Sequence, residues 1–246
     1  SVTRLVFSIK ELRSRQFLIH QMRQIGLQIH IDRIGNIFGR LDGHNSKAPA
    51  LLVGSHLDTV LHGGKFDGTM GVIAALEAAR TLKEQKIVLQ SPVEVVCFVG
   101  EESSRFGYST LGSSLVAGEV HAKDLAYAAD AQGNKLADIL ASMGIYRNNL
   151  RSMRRDPSTV KAYLELHIEQ GPILEAKKKP IGIVPLPPQR DLESSSLVRP
   201  ITPVQRRWRC AKTLLWPRLS SSLRWKKFAA GIRTWKKAGW SVPSAR

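Results

Sequence analysis

Apolar residues recur at two different periods along the first 184 positions, and the alternation between those periods is the main structural signal. Between residues 8 and 26, Ile9, Leu12, Phe17, Leu18, Met22 and Ile25 follow helical spacing, with Ser8 able to cap the start and Gly26 the end. Leu27–Ile31 and Ile37–Leu41 read as short strands joined by a turn through Gly35 and Asn36. Ala50–Gly54 is a continuous apolar run, as expected of a strand buried on both faces. An Ala/Leu-rich helix is predicted over Gly68–Lys86 and a second buried strand over Val93–Val99. Residues 135–143 read as helix and Ala162–Ile168 as strand.

Strands that alternate with helices predict an α/β fold, with a mostly parallel sheet flanked by helices on both sides. In such folds ligands collect beyond the carboxyl ends of the strands. The pattern stops at residue 184. Residues 185–246 hold 14 Lys+Arg against Asp191 and Glu193, a net of +12, together with all five tryptophans and seven of the twelve prolines. The chain therefore divides into residues 1–184, read as the folded part, and a basic Trp/Pro-rich tail, 185–246, expected to be poorly ordered.

This division changes what the charge means. A whole-chain net of +17 and a pI near 10.3 point toward nucleic acid or an anionic membrane surface. Residues 1–184 carry only +5 of it, an ordinary balance for an enzyme domain. No apolar run approaches the roughly 20 residues of a membrane span. Cys97 and Cys210 are too few for a disulfide scaffold, and Cys97, inside an apolar strand, reads as an inert buried thiol. The chain starts at Ser1 without an apolar signal, so a cytoplasmic location is expected, and the missing initiator Met suggests a fragment.

Candidate chemistry sits at the predicted strand ends in four clusters. His56 and Asp58 follow the first buried strand two residues apart, so they share a face in extended backbone. An imidazole with a nearby carboxylate suits a metal ligand whose tautomer is fixed by an acid. Asp67 precedes Gly68 at the start of the long helix, where a carboxylate could bridge two cations. Glu101 and Glu102 follow strand 93–99; adjacent carboxylates there splay apart, so one can bind metal while the other takes a proton. The fourth cluster is His167 with Glu169 and Gln170. Taken singly, each cluster has an ordinary structural explanation: a hydrogen-bonded histidine, a solvated loop, a turn. Four of them at strand ends point instead to a site for zinc, manganese or cobalt. His20, His30, His44, His62 and His121 lack this setting and read as structural or solvated.

The stretches Gly54–Thr59, Gly63–Gly68, Glu101–Phe106 and Leu166–Gly171 together resemble the amidase/hydantoinase/carbamoylase family. This is a branch of the dinuclear metallopeptidase superfamily that includes N-carbamoyl-L-amino-acid hydrolases and allantoate amidohydrolases. The resemblance covers roughly residues 1–184 and implies an incomplete catalytic domain of that fold. It implies two divalent metal ions (zinc, or manganese, cobalt or nickel), with His56 on one, Asp67 bridging the pair, Glu102 on the other and His167 completing the first shell. It further implies Asp58 as the residue orienting His56, Glu101 as general base and Gln170 as a substrate contact. The implied reaction is hydrolysis of a linear C–N bond in an N-carbamoyl amino acid or ureido compound. A small-molecule partner is expected, with no specific nucleic acid and no membrane.

The family continues with a dimerisation domain and a further histidine ligand, and its intact members are homodimers. Neither segment is readable after Val184. The tail is expected to be translated out of frame: the degenerate codons of residues 200–209, read in a shifted frame, permit the family's Asp-His-Ser-Gly-Ala-Thr-Pro-Met-Ala run, which the gene sequence across codons 184–185 would test. With four ligands and no dimerisation domain, this chain is expected to show little or no hydrolase activity. Two alternatives stand beside this reading. One is a dinuclear aminopeptidase or N-deacylase, which a carboxylate at position 167 would have favoured. The other is a non-catalytic nucleic-acid or membrane-surface binder acting through the basic tail.

Overall fold

The computed structural model describes residues 1–120 and 122–183. Residues 184–246, and with them the expected disorder and frame of the 185–246 tail, and the reading of His121 lie outside the described residues.

Helix α1 (Ile9–Ile25) begins where the Ser8 side chain accepts from the Glu11 N–H, and it ends at Gly26 in the left-handed conformation. Strands β1 (Gln28–Ile31) and β2 (Ile37–Leu41) form a hairpin, followed by β3 (Ala50–His56), α2 (Thr69–Glu84) and β4 (Val93–Phe98). Three short helices come next: α3 (Leu111–Ala117), α4 (Ala122–Ala126) and α5 (Leu136–Ser142). Strand β5 (Val160–Leu164) and α6 (Ile173–Ala176) complete the described elements.

The sheet order is β1-β2-β4-β3-β5. Strand β3 pairs in parallel with both β4 and β5, whereas β1–β2 and β2–β4 are antiparallel. The α/β class expected from the sequence is present, but the sheet is mixed rather than mostly parallel. A five-residue connection between β1 and β2 is too short for a crossover, so those strands must return antiparallel. The parallel half is the half that matters for chemistry, because β3 and β4 end together, with His56 opposite Phe98.

Side chains alternate across β4. Val95 and Cys97 face Leu18, Met22 and Ile25 of α1 and Val72, Ala75, Leu76 and Ala79 of α2. Val96 and Phe98 face the other side, against Leu52, Phe38 and Val116 of α3. A third cluster, with Val6, Val99, Leu111, Leu115, Leu136 and Leu140, packs beyond the carboxyl end of β4. Burial of these residues, at roughly 25 cal/mol per Å² of apolar surface, holds the strand ends in place.

Helix α1 does not present the face its apolar spacing suggests. Leu18, Met22 and Ile25 are buried, but Ile9, Leu12 and Phe17 are exposed while Glu11, Arg15 and Gln21 are buried. The buried polar residues have a reason: Arg15 donates to the Gly35 carbonyl of the β1–β2 turn and lies 3.6 Å from Glu11. Cys97 is buried as expected, and burial raises its thiol pKa out of reach of ordinary pH.

Candidate metal centre

His56 is the last residue of β3, two positions beyond the strand end expected from the sequence, and its side chain is 1% exposed. Its Nδ1 lies 2.9 Å from the backbone carbonyl of Asp58. A carbonyl only accepts, so in the neutral ring Nδ1 carries the proton and Nε2 keeps its lone pair. That Nε2 lies 3.6 Å from Glu101 Oε2 and 3.9 Å from Asp67 Oδ1, with no hydrogen-bond partner.

His167 repeats the arrangement from the other side. The strand leading to it ends at Leu164 rather than at Ile168, so His167 sits in irregular backbone just past β5. Its Nδ1 lies 2.8 Å from the Ile168 carbonyl, which again fixes the neutral tautomer and leaves Nε2 free, 3.1 Å from Asp67 Oδ1. The two imidazole rings are 6.3 Å apart. With both rings neutral, two lone pairs converge on one carboxylate oxygen, an arrangement that is repulsive unless a proton or a cation lies between them.

Two glycines make this convergence possible. Gly68, with φ +60°, precedes α2, and a Cβ there would run into the His56 ring. On the next turn, a Cβ at Gly71 would lie 2.5 Å from the Leu166 carbonyl, so the segment carrying His167 approaches the helix only because position 71 is bare. Asp67, one residue before Gly68, is thereby brought between the two rings.

Asp58 is 2% exposed and meets His56 through its backbone rather than its carboxylate. Its carboxylate is 3.8 Å from His56 Nδ1, while its backbone carbonyl makes the short contact. The carboxylate instead accepts from the backbone N–H of Glu101 at 3.2 Å and of Glu102 at 2.9 Å. It therefore holds the Glu101–Glu102 turn against the end of β3. Gln170, expected to contact substrate, donates to Asp67 Oδ2 at 3.4 Å.

The electrostatics are those of a carboxylate cluster short of positive charge. Burial, opposed by His56 and reinforced by Glu102 and Asp58, pushes Glu101 up to about 7. Burial likewise raises Glu102, against His56 and with Asp67 and Asp58. Asp58 is raised by burial against the pull of His56 and the two backbone donors. For His56, burial disfavours the imidazolium, but Asp58 and Glu101 outweigh it and the pKa rises. His56 Nε2, Asp67 Oδ1 and Glu101 Oε1 are all buried without a hydrogen-bond partner. Orphaned buried atoms of this kind are rare and call for an explanation such as a bound ion. The donor atoms of His56, Asp67 and His167 lie within 4.8 Å of one another, as do those of His56, Glu101 and Glu102. The residues present fit divalent cations by atom type, spacing and orphaned valence.

Three residues that sequence reasoning passed over support His167. Ser55 Oγ donates to Glu165, and Tyr163 Oη lies 3.0 Å from Glu165 Oε2 and 3.1 Å from the Gly54 carbonyl. These bonds tie β5 to the end of β3. The available signal was Glu165, which stands two residues before His167 and shares its face in extended backbone. Among the described residues, His20, His30, His44 and His62 take no part in either donor group.

Comparison with known proteins gives a consistent neighbourhood. Residues 36–165 match peptidase family M28. The chain is 44% identical over 183 residues to an N-carbamoyl-L-amino acid amidohydrolase of Geobacillus stearothermophilus, covering 74% of this chain and 44% of that protein. It is 41% identical over 187 residues to a ureidoglycolate hydrolase of Oryza sativa subsp. japonica, covering 75% of this chain and 39% of that one. Among solved structures, a hydantoinase/carbamoylase family amidase from Burkholderia ambifaria superposes with a TM-score of 0.62 at 39% identity, over 72% of this chain and 42% of the other. The chain thus spans less than half the length of the relatives it matches.

Proposed function

Because the chain belongs to peptidase family M28, we propose that it is the catalytic segment of a metal-dependent hydrolase of linear C–N bonds in N-carbamoyl amino acids or ureido compounds. The observation that carries this reading is the convergence of His56 Nε2 and His167 Nε2 on Asp67 Oδ1, with Glu101 alongside. His56, Asp67 and His167 would hold one divalent ion, and Asp67 with Glu102 would reach toward a second. When bound, such ions supply Lewis-acid chemistry: they polarise the scissile carbonyl and make water a competent nucleophile at neutral pH.

The chain's own residues account for the proton traffic. Glu101 takes a proton from the attacking water and returns it to the leaving nitrogen. A base must do both, and Glu101 is a buried carboxylate beside His56 with one oxygen that has no hydrogen-bond partner. Asp58 keeps Glu101 in register through its backbone N–H. Gln170, which donates to Asp67, would contact substrate. Hydrolysis releases an amine together with carbamic acid, which breaks down to ammonia and carbon dioxide. Zinc, manganese, cobalt or nickel all suit this donor set. The same reading carries a cytoplasmic location, a small-molecule partner and a dimeric whole protein.

Similarity to an N-carbamoyl amino acid amidohydrolase and a ureidoglycolate hydrolase, at 44% and 41% identity, supports this choice over a peptidase. The 246 residues alone are expected to hydrolyse poorly, since the relatives are more than twice as long as the matched segment. The test is a chimera of residues 1–183 with the remaining segment of the Geobacillus amidohydrolase. Metal-dependent ammonia release from N-carbamoyl amino acids, allantoate or ureidoglycolate, lost on Glu101→Gln, is expected. A chimera that folds and binds metal but cleaves only peptides would overturn the reading.

A further inference from the structure

The residues before α1 hydrogen-bond to every segment that carries a donor of the candidate centre except the one carrying His167. Val2 N–H donates to the Gly63 carbonyl at 3.0 Å in an antiparallel bridge, and His62 N–H donates to Thr3 Oγ1 at 2.9 Å. Arg4 and Thr59 exchange two bonds: Arg4 N–H to Thr59 Oγ1 and Thr59 N–H to the Arg4 carbonyl, both 2.9 Å. The Arg4 guanidinium donates through Nε to the Leu57 carbonyl at 2.9 Å and through Nη2 to Thr69 Oγ1 at 2.8 Å. Finally, Arg105 Nη1 donates to the Val6 carbonyl at 2.8 Å, and Val6 itself is anchored in the core.

The positions of these partners matter. Leu57 follows His56 directly, Thr69 stands two residues after Asp67, and Arg105 stands three after Glu102. Between Leu57 and Thr59, both fixed by Arg4, lies Asp58, whose carbonyl orients His56 and whose carboxylate holds Glu101 and Glu102. One planar guanidinium with donors in a fixed fork therefore sets the spacing between the His56 segment and the Asp67 segment.

We propose that Arg4 is a positioning residue for the metal centre, and that residues 2–6 form a strap setting the distances between His56, Asp67 and the Glu101–Glu102 turn. This rests on the metal-binding reading given above. Arg4 touches no donor atom itself; it acts through Leu57, Thr59 and Thr69. A lysine cannot span both acceptors, so Arg4→Lys should behave like a deletion. The strap differs from a merely stabilising contact in a measurable way: losing it should change metal affinity and ligand geometry in protein that is still folded.

The test uses the whole 246-residue chain titrated with Co²⁺, reading both affinity and the visible absorption of the ion. Losing a partner behind a metal ligand typically costs 10–100-fold in affinity. Arg4→Met and Arg4→Lys are therefore expected to weaken Co²⁺ binding by about tenfold or more and to alter its spectrum. Thr69→Val, which removes one acceptor and disturbs the fold less, should weaken binding in the same direction but by less than the Arg4 variants do. Arg155→Met, which breaks an ion pair to Glu94, serves as control: it should lower the melting temperature and leave Co²⁺ affinity within about twofold. If the Arg4 variants and Thr69→Val bind Co²⁺ with the parent's affinity and spectrum, the strap has no positioning role. If the parent itself does not bind Co²⁺, the metal reading fails, and the strap with it.

Discussion

Glu94 near the start of β4 and the Glu101–Glu102 pair just past its end are two carboxylate sites on one strand, and they are completed in opposite ways. Glu94, 5% exposed, is fully paired: Arg155 binds it bidentately at 2.5 and 3.1 Å, and Arg40 Nη1 lies 3.1 Å away. Arg155 also lies over the Phe38 ring. Both Glu94 oxygens have a cationic partner from the chain. At the other end Asp58, Asp67, Glu101 and Glu102 gather around two imidazoles; some of their atoms are orphaned, and burial raises Asp58, Glu101 and Glu102. A buried Glu is therefore not in itself a sign of chemistry. What separates a brace from a site is whether the protein supplies the countercharge.

The contrast can be broken most decisively at His56. His56→Ala should reduce Co²⁺ affinity by more than the about 100-fold upper range seen on losing a partner behind a ligand. Its effect on unfolding should be small by comparison, and a titration that still saturates at the parent's concentration would erase the distinction between the two ends. The reverse experiment is Glu94→Ala. Removing the shared partner of two partly buried arginines should cost about 2 kcal/mol in urea unfolding, below the range for a fully buried pair because water reaches both guanidiniums. Co²⁺ affinity should not move.

Glu11 sharpens the comparison because it stands between the two cases: one arginine nearby, one oxygen without a partner. Burial, opposed mainly by Arg15, raises it from 4.5 to about 7. The folded state therefore holds this proton more tightly than the unfolded chain. The stability it carries is complete below about pH 4.5 and is lost as pH rises through about 7. Thermal melts of Glu11→Gln between pH 5 and 8 should show that decline shrink by about 2–3 kcal/mol. An unchanged slope would mean that Arg15 supplies Glu11 with all the countercharge it needs.

The elements that were legible in the sequence are those with local causes. Helix α1 carries its own cap and stop in Ser8 and Gly26. The buried runs of β3 and β4 need no partner to be recognised, and the four donor clusters follow from the rule that ligands lie at strand ends. What stayed hidden depends on contacts distant in sequence. The exposed Ile9 and Phe17 and the buried Glu11 and Arg15 invert the usual pattern because a turn 20 residues away offers Arg15 a carbonyl. Strand β3 reaches His56 because pairing with β4 continues through Ser55 and Cys97. Helix α3 is only seven residues long and starts from a left-handed Thr110, so it has neither the length nor the cap that would announce it. At the site, the Ser55–Glu165 bond spans 110 residues and the Arg4–Thr69 bond 65, and no periodicity encodes either.

Both imidazoles are oriented by main-chain carbonyls, those of Asp58 and Ile168. Every amino acid brings an identical carbonyl, so no point mutation can delete either acceptor. Genetic change can reach ring orientation only by shifting the backbone that carries the acceptor. The burden of heritable variation then falls on residues with no reactive role, those that keep positions 57–59 and 166–168 where they are. An inventory of donor side chains would pass over such residues, although damage to them would be as consequential as damage to the histidines themselves.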